Sequence, residues 1–386
     1  MDILYDYIIV GAGIAGLYAY NTLKTPNNNI LVLEESGRVG GRMGQDQFYG
    51  TTVSIGAGIG RKSKDHLLIK LLKQHNIKYH EFSVQKRWLT VMQENESRAI
   101  VQKLKHAYNN TTDRGQTFKE YAVRVLGQPL YNKFMKHYEY TDMERADVYE
   151  TLFHYGLEDN ANGWIGLSIP WNQLLNKMTP PSSDIILKHR VQKIHRACKN
   201  MWLIDQQYYC KNVILATTVS TVKKILPMHR QIYNQVESQP FMRIYGKFNK
   251  ENARKMAEAT GGVSTIVNNH IKRIIPMSED VYMIVYSDNA NAKHVEKYVT
   301  GNNEESRDWL NRKLEQALSV PVQVSAIKRY YWEEGTHYYV PFVGTNTYDK
   351  WIRDAHNPEP GIYVVGEMVS RDQGWVEGAL QSVAKL

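Results

Sequence analysis

The chain has 386 residues, 42% of them hydrophobic and 23% charged. That is enough for two or three domains with a sizeable core, and the mix excludes collagen, coiled coil and disordered tail. Lys and Arg exceed Asp and Glu by nine, but the surplus is spread in pairs such as Lys223-Lys224 and Lys328-Arg329. Without a block of five or six basic residues the charge reads as a solvated surface, not a nucleic-acid site.

In chain order, Asp6–Val10 reads as a buried parallel strand. A glycine-rich turn follows, then a helix from about 14 to 24 and a second apolar strand over 30–34. This βαβ unit implies a doubly wound α/β sheet. Helical spacing returns at Leu67, Leu68, Leu71 and Leu72. The stretch 80–165 reads as short strands alternating with amphipathic helices, one opened by the capping box Thr117-Phe-Lys-Glu120. Strands are expected at Ile185–Lys188, Met201–Asp205 and Asn212–Ala216, then at Arg243–Phe248, Ser264–Val267 and Val281–Tyr286. A helix over 304–318, a long strand over 322–332 and a short one over 362–365 complete the reading.

No apolar run reaches the roughly 18 residues of a membrane span, and the N-terminal Met1-Asp2-Ile3-Leu4 lacks a basic leader. A cytoplasmic or otherwise intracellular protein with no signal peptide or membrane anchor is expected. Cys198 and Cys210 are then expected as free thiols. The thirteen histidines are scattered, so no metal site is expected.

Chemistry concentrates in a few segments. Gly11-Ala-Gly13-Ile-Ala15-Gly16 is G-x-G-x-x-G between a strand and a helix. Gly11 permits the tight turn, Gly13 lets backbone amides approach a pyrophosphate, and Gly16 lets helix and strand pack closely. Glu34 follows 18 residues after Gly16, where a carboxylate meets a ribose diol and disfavours a 2′-phosphate; Glu35 is adjacent.

Val39-Gly40-Gly41-Arg42 and Ser54-Ile-Gly56-Ala57-Gly58-Ile59 follow in turn. Then come Leu187–Ile194 around Val191, and Gly366-Glu367 with Gly374-Trp375-Val376-Glu377-Gly378-Ala379. In this order they resemble the flavin-contacting motifs of the flavin-containing amine oxidase superfamily, which includes monoamine and polyamine oxidases. The resemblance implies a Rossmann-like FAD-binding domain of the GR2 type (1–78, 166–240 and 338–386). It also implies a second α+β substrate domain on a mixed sheet (79–165 and 241–337).

By resemblance, FAD is held noncovalently by Gly11, Gly13, Ala15, Gly16, Glu34, Glu35, Gly41, Arg42, Gly56, Ala57, Gly58, Ile59, Val191, Trp332, Gly366, Glu367, Trp375 and Val376. Thr336 stands where some relatives attach the flavin through cysteine. Ser54 replaces the family's usual acidic residue, and Arg243 its usual lysine near flavin N5. Trp375 faces His337, or Tyr339, across the substrate.

The implied reaction is amine C–N oxidation by hydride transfer to flavin N5. O₂ accepts the electrons and H₂O₂ is released. The departures at Ser54, Arg243 and His337 leave three alternatives open. These are an L-amino-acid oxidase, a desaturase or mutase, and a noncatalytic FAD-bound protein. The expected partners are a small amine and O₂; the oligomeric state is unknown.

Overall fold

The first apolar run forms strand β1 (Leu4–Val10), followed by helix α1 (Ile14–Leu23) and strand β2 (Ile30–Leu33). They are seen in a computed structural model that describes residues 3–89, 92–138, 140–157, 162–343 and 348–386. Met1 and Asp2 of the N-terminal segment lie outside the described residues. β1 is central. It pairs in parallel with β2 on one side and with Tyr208–Leu215 on the other. Ile185–Ile186 extends the sheet beyond β2, Ile362–Val364 pairs with Tyr208–Leu215, and an antiparallel meander of Met201–Ile204 and Ile194–Cys198 closes the far edge.

The pleat sends alternate side chains to opposite faces. Ile8, Val10, Leu31, Leu33, Val213 and Leu215 fill one apolar layer. Ile9, Ile30, Val32 and Ile214 fill the other, with Leu17 of α1 and Leu380 and Val383 from the C-terminal helix. A sheet buried on both faces explains the unbroken apolar runs read in the sequence. The two ends of the chain therefore share one core.

The second sheet is mixed and has six strands. Its long members are β3 (Val236–Phe248), β4 (Val281–Asp288) and β5 (Val324–Tyr339). β3 lies between β5 and β4, all antiparallel. Arg273–Pro276, Ser264–Val267 and Lys86–Leu89 follow, the last in parallel. Pro240 sits within β3, where the register with β5 shifts between Gln239 and Phe241. A proline cannot donate to the ladder, so a bulge is where a long strand tolerates one. Opposite it, a Cβ on Gly335 would come within 2.4 Å of Phe241 Cβ, so the two strands cross closely at that point.

Three secondary-structure expectations change here. The strand expected over 322–332 continues to Tyr339 because β3 gives it partners along almost its whole length. The strand expected over 185–188 stops at Ile186. Lys188 turns into the left-handed region (φ 58°), and His189 N–H donates to the Glu34 carbonyl. Among the described residues, the 80–165 stretch has strands only near its ends. Between them lie the helices Glu94–Ala107, Phe118–Leu126, Gln128–His137 and Val148–Phe153 around their own apolar cluster. The positions 240/241 and 337/338, read as domain boundaries, fall inside β3 and β5, which pass unbroken from one part to the other. The capping box at Thr117–Glu120 is formed. Cys198 is exposed, Cys210 is buried, and both are free. No described helix is long and apolar enough to cross a membrane.

A Cβ on Gly16 would lie 1.9 Å from the Gly11 carbonyl oxygen. Gly16→Ala must therefore separate α1 from the turn, and urea denaturation is expected to show a loss of about 1–3 kcal/mol. An unchanged midpoint would show that this packing is not tight.

Candidate functional site

The turn after β1 is shaped by what its glycines exclude. Gly11 has φ 103°, and a Cβ there would meet the Ala216 carbonyl at 2.5 Å. Gly13 caps α1 in an extended conformation and faces open space, with nothing within 4 Å of a Cβ placed on it. No side chain caps α1, and its first turn carries no acid. Its first amides and the positive end of its dipole are thus presented to an anion. Ala15 is buried behind the turn. Gly40 bridges to Gly13 and donates its N–H to the Ala12 carbonyl, while a Cβ on Gly41 would be 3.3 Å from Gly13 Cα. Two glycine segments read separately in the sequence thus abut.

Glu34, buried at the end of β2, accepts the N–H groups of Ala12 at 2.7 Å and Ser36 at 2.9 Å. Glu35 points outward to Arg190 in an exposed ion pair. That corrects its place among the cofactor residues, because successive side chains of an extended segment point to opposite sides. Val191 is buried in the first core layer.

The loop 54–59 is suspended by ring donors. Tyr245 donates its hydroxyl to the Ser54 carbonyl (2.6 Å), and Trp332 its indole N–H to that of Ile55 (2.7 Å). Trp171 donates to Gly58 (3.3 Å). A Cβ on Gly56 would lie 1.9 Å from the Arg42 carbonyl, and Ala57 N–H donates to that same oxygen. Trp332 therefore acts on the loop through its ring nitrogen. A Cβ on Gly58 would lie 3.2 Å from Arg243 Nη2. Ile59 lies next in the same loop, ahead of the buried Gly60.

Arg243, only 6% exposed, lies among Phe241, Tyr245 and Tyr286. Its guanidinium is 4.7 Å from the Tyr286 ring, and Tyr140 packs against both Phe241 and Tyr286. Among the described residues no carboxylate lies within ion-pair reach of Arg243, and its buried Nε has no hydrogen-bond partner. A guanidinium stays charged in proteins, so this one is a buried cation with no ion-pair partner among the described residues, its Nη2 reaching the Tyr286 hydroxyl at 3.5 Å. Such a group is costly unless something negative or electron-rich completes it. Phe241 and Tyr245 were not singled out in the sequence, though their even spacing from Arg243 on β3 was a usable signal. Tyr286 and Tyr140 come from distant segments and gave no local signal.

Glu367 joins four segments. Its carboxylate accepts Arg42 Nη1 at 2.6 Å, the His337 ring, and the N–H of Gly374 at 2.9 Å. Arg42 also donates to the Gly335 carbonyl. Burial alone would raise the Glu367 pKa, but His337 and Arg42 overcome it and hold the carboxyl well below its usual range. Gly366, with φ 126°, makes the turn that delivers it.

His337 corrects an expectation. Val219 N–H donates to its Nε2 at 3.3 Å. An amide only donates, so Nε2 accepts and Nδ1 carries the proton offered to Glu367. Both ring nitrogens are occupied and the side chain is buried, so His337 positions Glu367 and does not face a substrate. Tyr339 is also removed from that role. It donates to the Ser370 carbonyl at 2.8 Å and packs among Phe342, Tyr348 and Trp351.

Trp375 caps helix α2 (Val376–Val383) without a side-chain hydrogen bond, so the amides from Val376 onward are presented as in α1. One face of its ring is covered by Arg61, whose guanidinium is 4.0 Å away and is held by Asp65 and Asp372. Glu377 turns back to accept the Leu67 and Leu68 amides, capping the helix His66–Gln74. Arg61, Asp65 and Asp372 were not singled out in the sequence. No group of three potential metal ligands occurs among the described residues.

These residues fit a flavin dinucleotide. Two uncapped helix ends, a glycine turn open at Gly13 and the unpaired Arg243 beside Gly58 supply the donors it needs. The family model described as flavin containing amine oxidoreductase matches residues 14–154 and 115–383. Wild-type putrescine oxidase bound to putrescine aligns with a TM-score of 0.73 at 14% identity, over 100% of this chain and 98% of that one. A protein of Exiguobacterium sp. 255-15 assigned as a protoporphyrinogen oxidase aligns with a TM-score of 0.74 at 16% identity and the same coverage. At these identities the two structures establish the fold.

Glu367→Gln is expected to cost roughly 1–3 kcal/mol, since it removes a charge-assisted hydrogen-bond acceptor from the half-buried Arg42. The folded-state pKa of Glu367 is depressed. Its stabilisation is therefore complete above the unfolded-state value, about 4.3, and is lost as pH falls below it. Denaturation midpoints measured from pH 6 to pH 3 should fall steeply in the wild type and less in Glu367→Gln. Parallel curves would remove Glu367 as the acid-sensitive group.

Proposed function

The chain belongs to the flavin-containing amine oxidoreductase family, and from the surroundings of Arg243 we propose that it oxidises an amine C–N bond. It is an FAD-dependent oxidoreductase. When bound, FAD supplies the two-electron acceptor for the substrate C–H bond and passes the electrons on, in our proposal to O₂ with release of H₂O₂.

We assign nucleotide binding to the first sheet and substrate binding to the second, with their junction along β3 and β5. Gly11, Gly13, Gly16 and the start of α1 would hold the pyrophosphate, with Glu34 beneath the adjoining ribose. Gly41, Arg42 and Gly56–Gly58 would form the wall beside the isoalloxazine. The start of α2 would place its positive end at that ring system, favouring negative charge there. Glu367 would orient this wall through Arg42, His337 and the Gly374 amide, and with the acceptor capacity left on its carboxylate it would still reach the cofactor. Thr336, in place of an attaching cysteine, supports noncovalent binding.

The observation that carries the proposal is the buried, unpaired Arg243 beside Gly58. It would stabilise charge developing on the reduced ring in a dry setting, where such groups act most strongly. Phe241, Tyr140 and Tyr286 exclude water from the same space and offer ring faces to a substrate.

A second reading rests on the same group. With no carboxylate of its own, Arg243 is suited to hold a substrate carboxylate, as an amino-acid oxidase would require.

Anaerobic mixing of the FAD-loaded protein with simple amines, diamines and α-amino acids, followed by flavin absorbance, tests both. Amine oxidation predicts bleaching by an amine, with Arg243→Met slowing the limiting reduction by about 10²–10³-fold. Carboxylate binding predicts bleaching only by α-amino acids, with the loss in Arg243→Met mainly in apparent affinity. A loaded protein that no amine or amino acid reduces would overturn both readings.

A further inference from the structure

The helical unit of residues 94–153 does not pack flush against the second sheet. Between them lies a cleft of about 550 Å³, within the usual range for a small-molecule site. One wall comes from the helices Phe118–Leu126 and Gln128–His137. The other comes from the turn 268–272 and the helices Asn289–Tyr298 and Glu304–Leu318. None of its lining residues belongs to the dinucleotide groove or to the aromatic surroundings of Arg243.

The charge in this cleft is one-sided. Among the described residues, Lys119, Lys136, Lys272 and Lys313 line it against one acid, Glu144. Glu144 is already engaged, accepting the Tyr131 hydroxyl at 2.5 Å and standing 3.7 Å from Lys119. The charge of Lys272 acts on the buried Asp288. Lys136 and Lys313 have no carboxylate within ion-pair reach among the described residues. The neighbouring His294 registers this field. Burial first, then the charges of His270, Lys313 and Lys297, hold its pKa below the ordinary value.

The wall is also built rather than incidental. Asn269 accepts the Ile271 N–H with its side-chain oxygen (3.1 Å) and donates its amide to the Lys313 carbonyl (2.9 Å). This ties the turn to the last helix. Asn291 holds the His270 ring at 3.0 Å, and His270 stacks on His294 at 3.8 Å. Lys272 adopts a left-handed conformation, φ 60°, which a non-glycine residue keeps only when its surroundings impose it.

We propose that this cleft is a second ligand site, selective for a small molecule carrying clustered oxyanions, either phosphates or carboxylates. Lys136 and Lys313, on opposite walls and with no carboxylate within ion-pair reach among the described residues, favour an anion that can meet both.

The test uses the FAD-saturated full chain, so that pyrophosphate cannot enter the dinucleotide groove. Calorimetric titration with sodium pyrophosphate, and separately with sodium citrate, is run at constant ionic strength. One binding event per chain is expected from at least one of them. The pair Lys136→Glu with Lys313→Glu should weaken it by about tenfold or more, as expected when two contacts change from attraction to repulsion. The exposed control pair Lys103→Glu with Lys177→Glu changes net charge equally and should leave it unaltered. Pyrophosphate alone would identify phosphate as the source, and citrate alone carboxylate. If the charge-reversed pair fails to fold, Lys136→Gln with Lys313→Gln should still weaken binding severalfold. Absence of binding by both anions, or equal weakening by the control pair, would overturn the proposal.

Discussion

The buried carboxylate of Glu367 is the junction on which the site depends. Three donors converge on it: Arg42 from the second glycine segment, His337 from β5, and the Gly374 amide from the turn before α2. Each donor arrives from a different part of the chain, and none is close in sequence to another. A buried charge is tolerable only when such partners are all in place. The carboxylate thus makes the approach of the N-terminal and C-terminal segments a matter of electrostatic necessity. It also explains why Arg42 and Glu367, both natural ligands for a dinucleotide, are turned toward each other.

A second constraint works through β3 and β5. Their side chains on one face suspend the loop 54–59 by its own carbonyls, through Tyr245 and Trp332. The backbone of that loop becomes a wall, and Arg243 is set close to Gly58, where a Cβ would lie 3.2 Å from its guanidinium. Rigid strands thereby position a glycine loop that has little intrinsic order. Around Arg243 the aromatic rings lower the local polarity, which strengthens the field of a charge that no carboxylate among the described residues neutralises.

Legibility differed from residue to residue, for physical reasons. Gly11, Gly13 and Gly16 announce themselves because backbone turns and close packing forbid other residues there. Glu34 was readable from its distance to that turn. Glu35, its neighbour, was expected to point elsewhere, although it was also counted among the cofactor residues, and the extended backbone turns it to Arg190. Trp375 was read as one ring of a pair facing the substrate; Arg61 covers one of its faces, and nothing near Trp375 in the sequence points to Arg61. His337 and Tyr339 were assigned by position along a segment whose end was taken as irregular. Once β5 runs through Tyr339, pairing along β3 carries both side chains into the interior.

Glycine placement, strand periodicity and the order of the polar anchors are local properties, set by chirality and sterics over a few bonds, and they carried the α/β architecture and the flavin groove. Partner choice for charged and aromatic groups is another matter. Whether Arg243 is paired, which oxygen His337 meets and where Lys136 and Lys313 converge depend on strands and helices that are distant along the chain. Electrostatics and hydrogen bonding act over a few ångströms in space, whatever the separation in sequence, so those answers exist only once the two sheets and the helical unit are assembled.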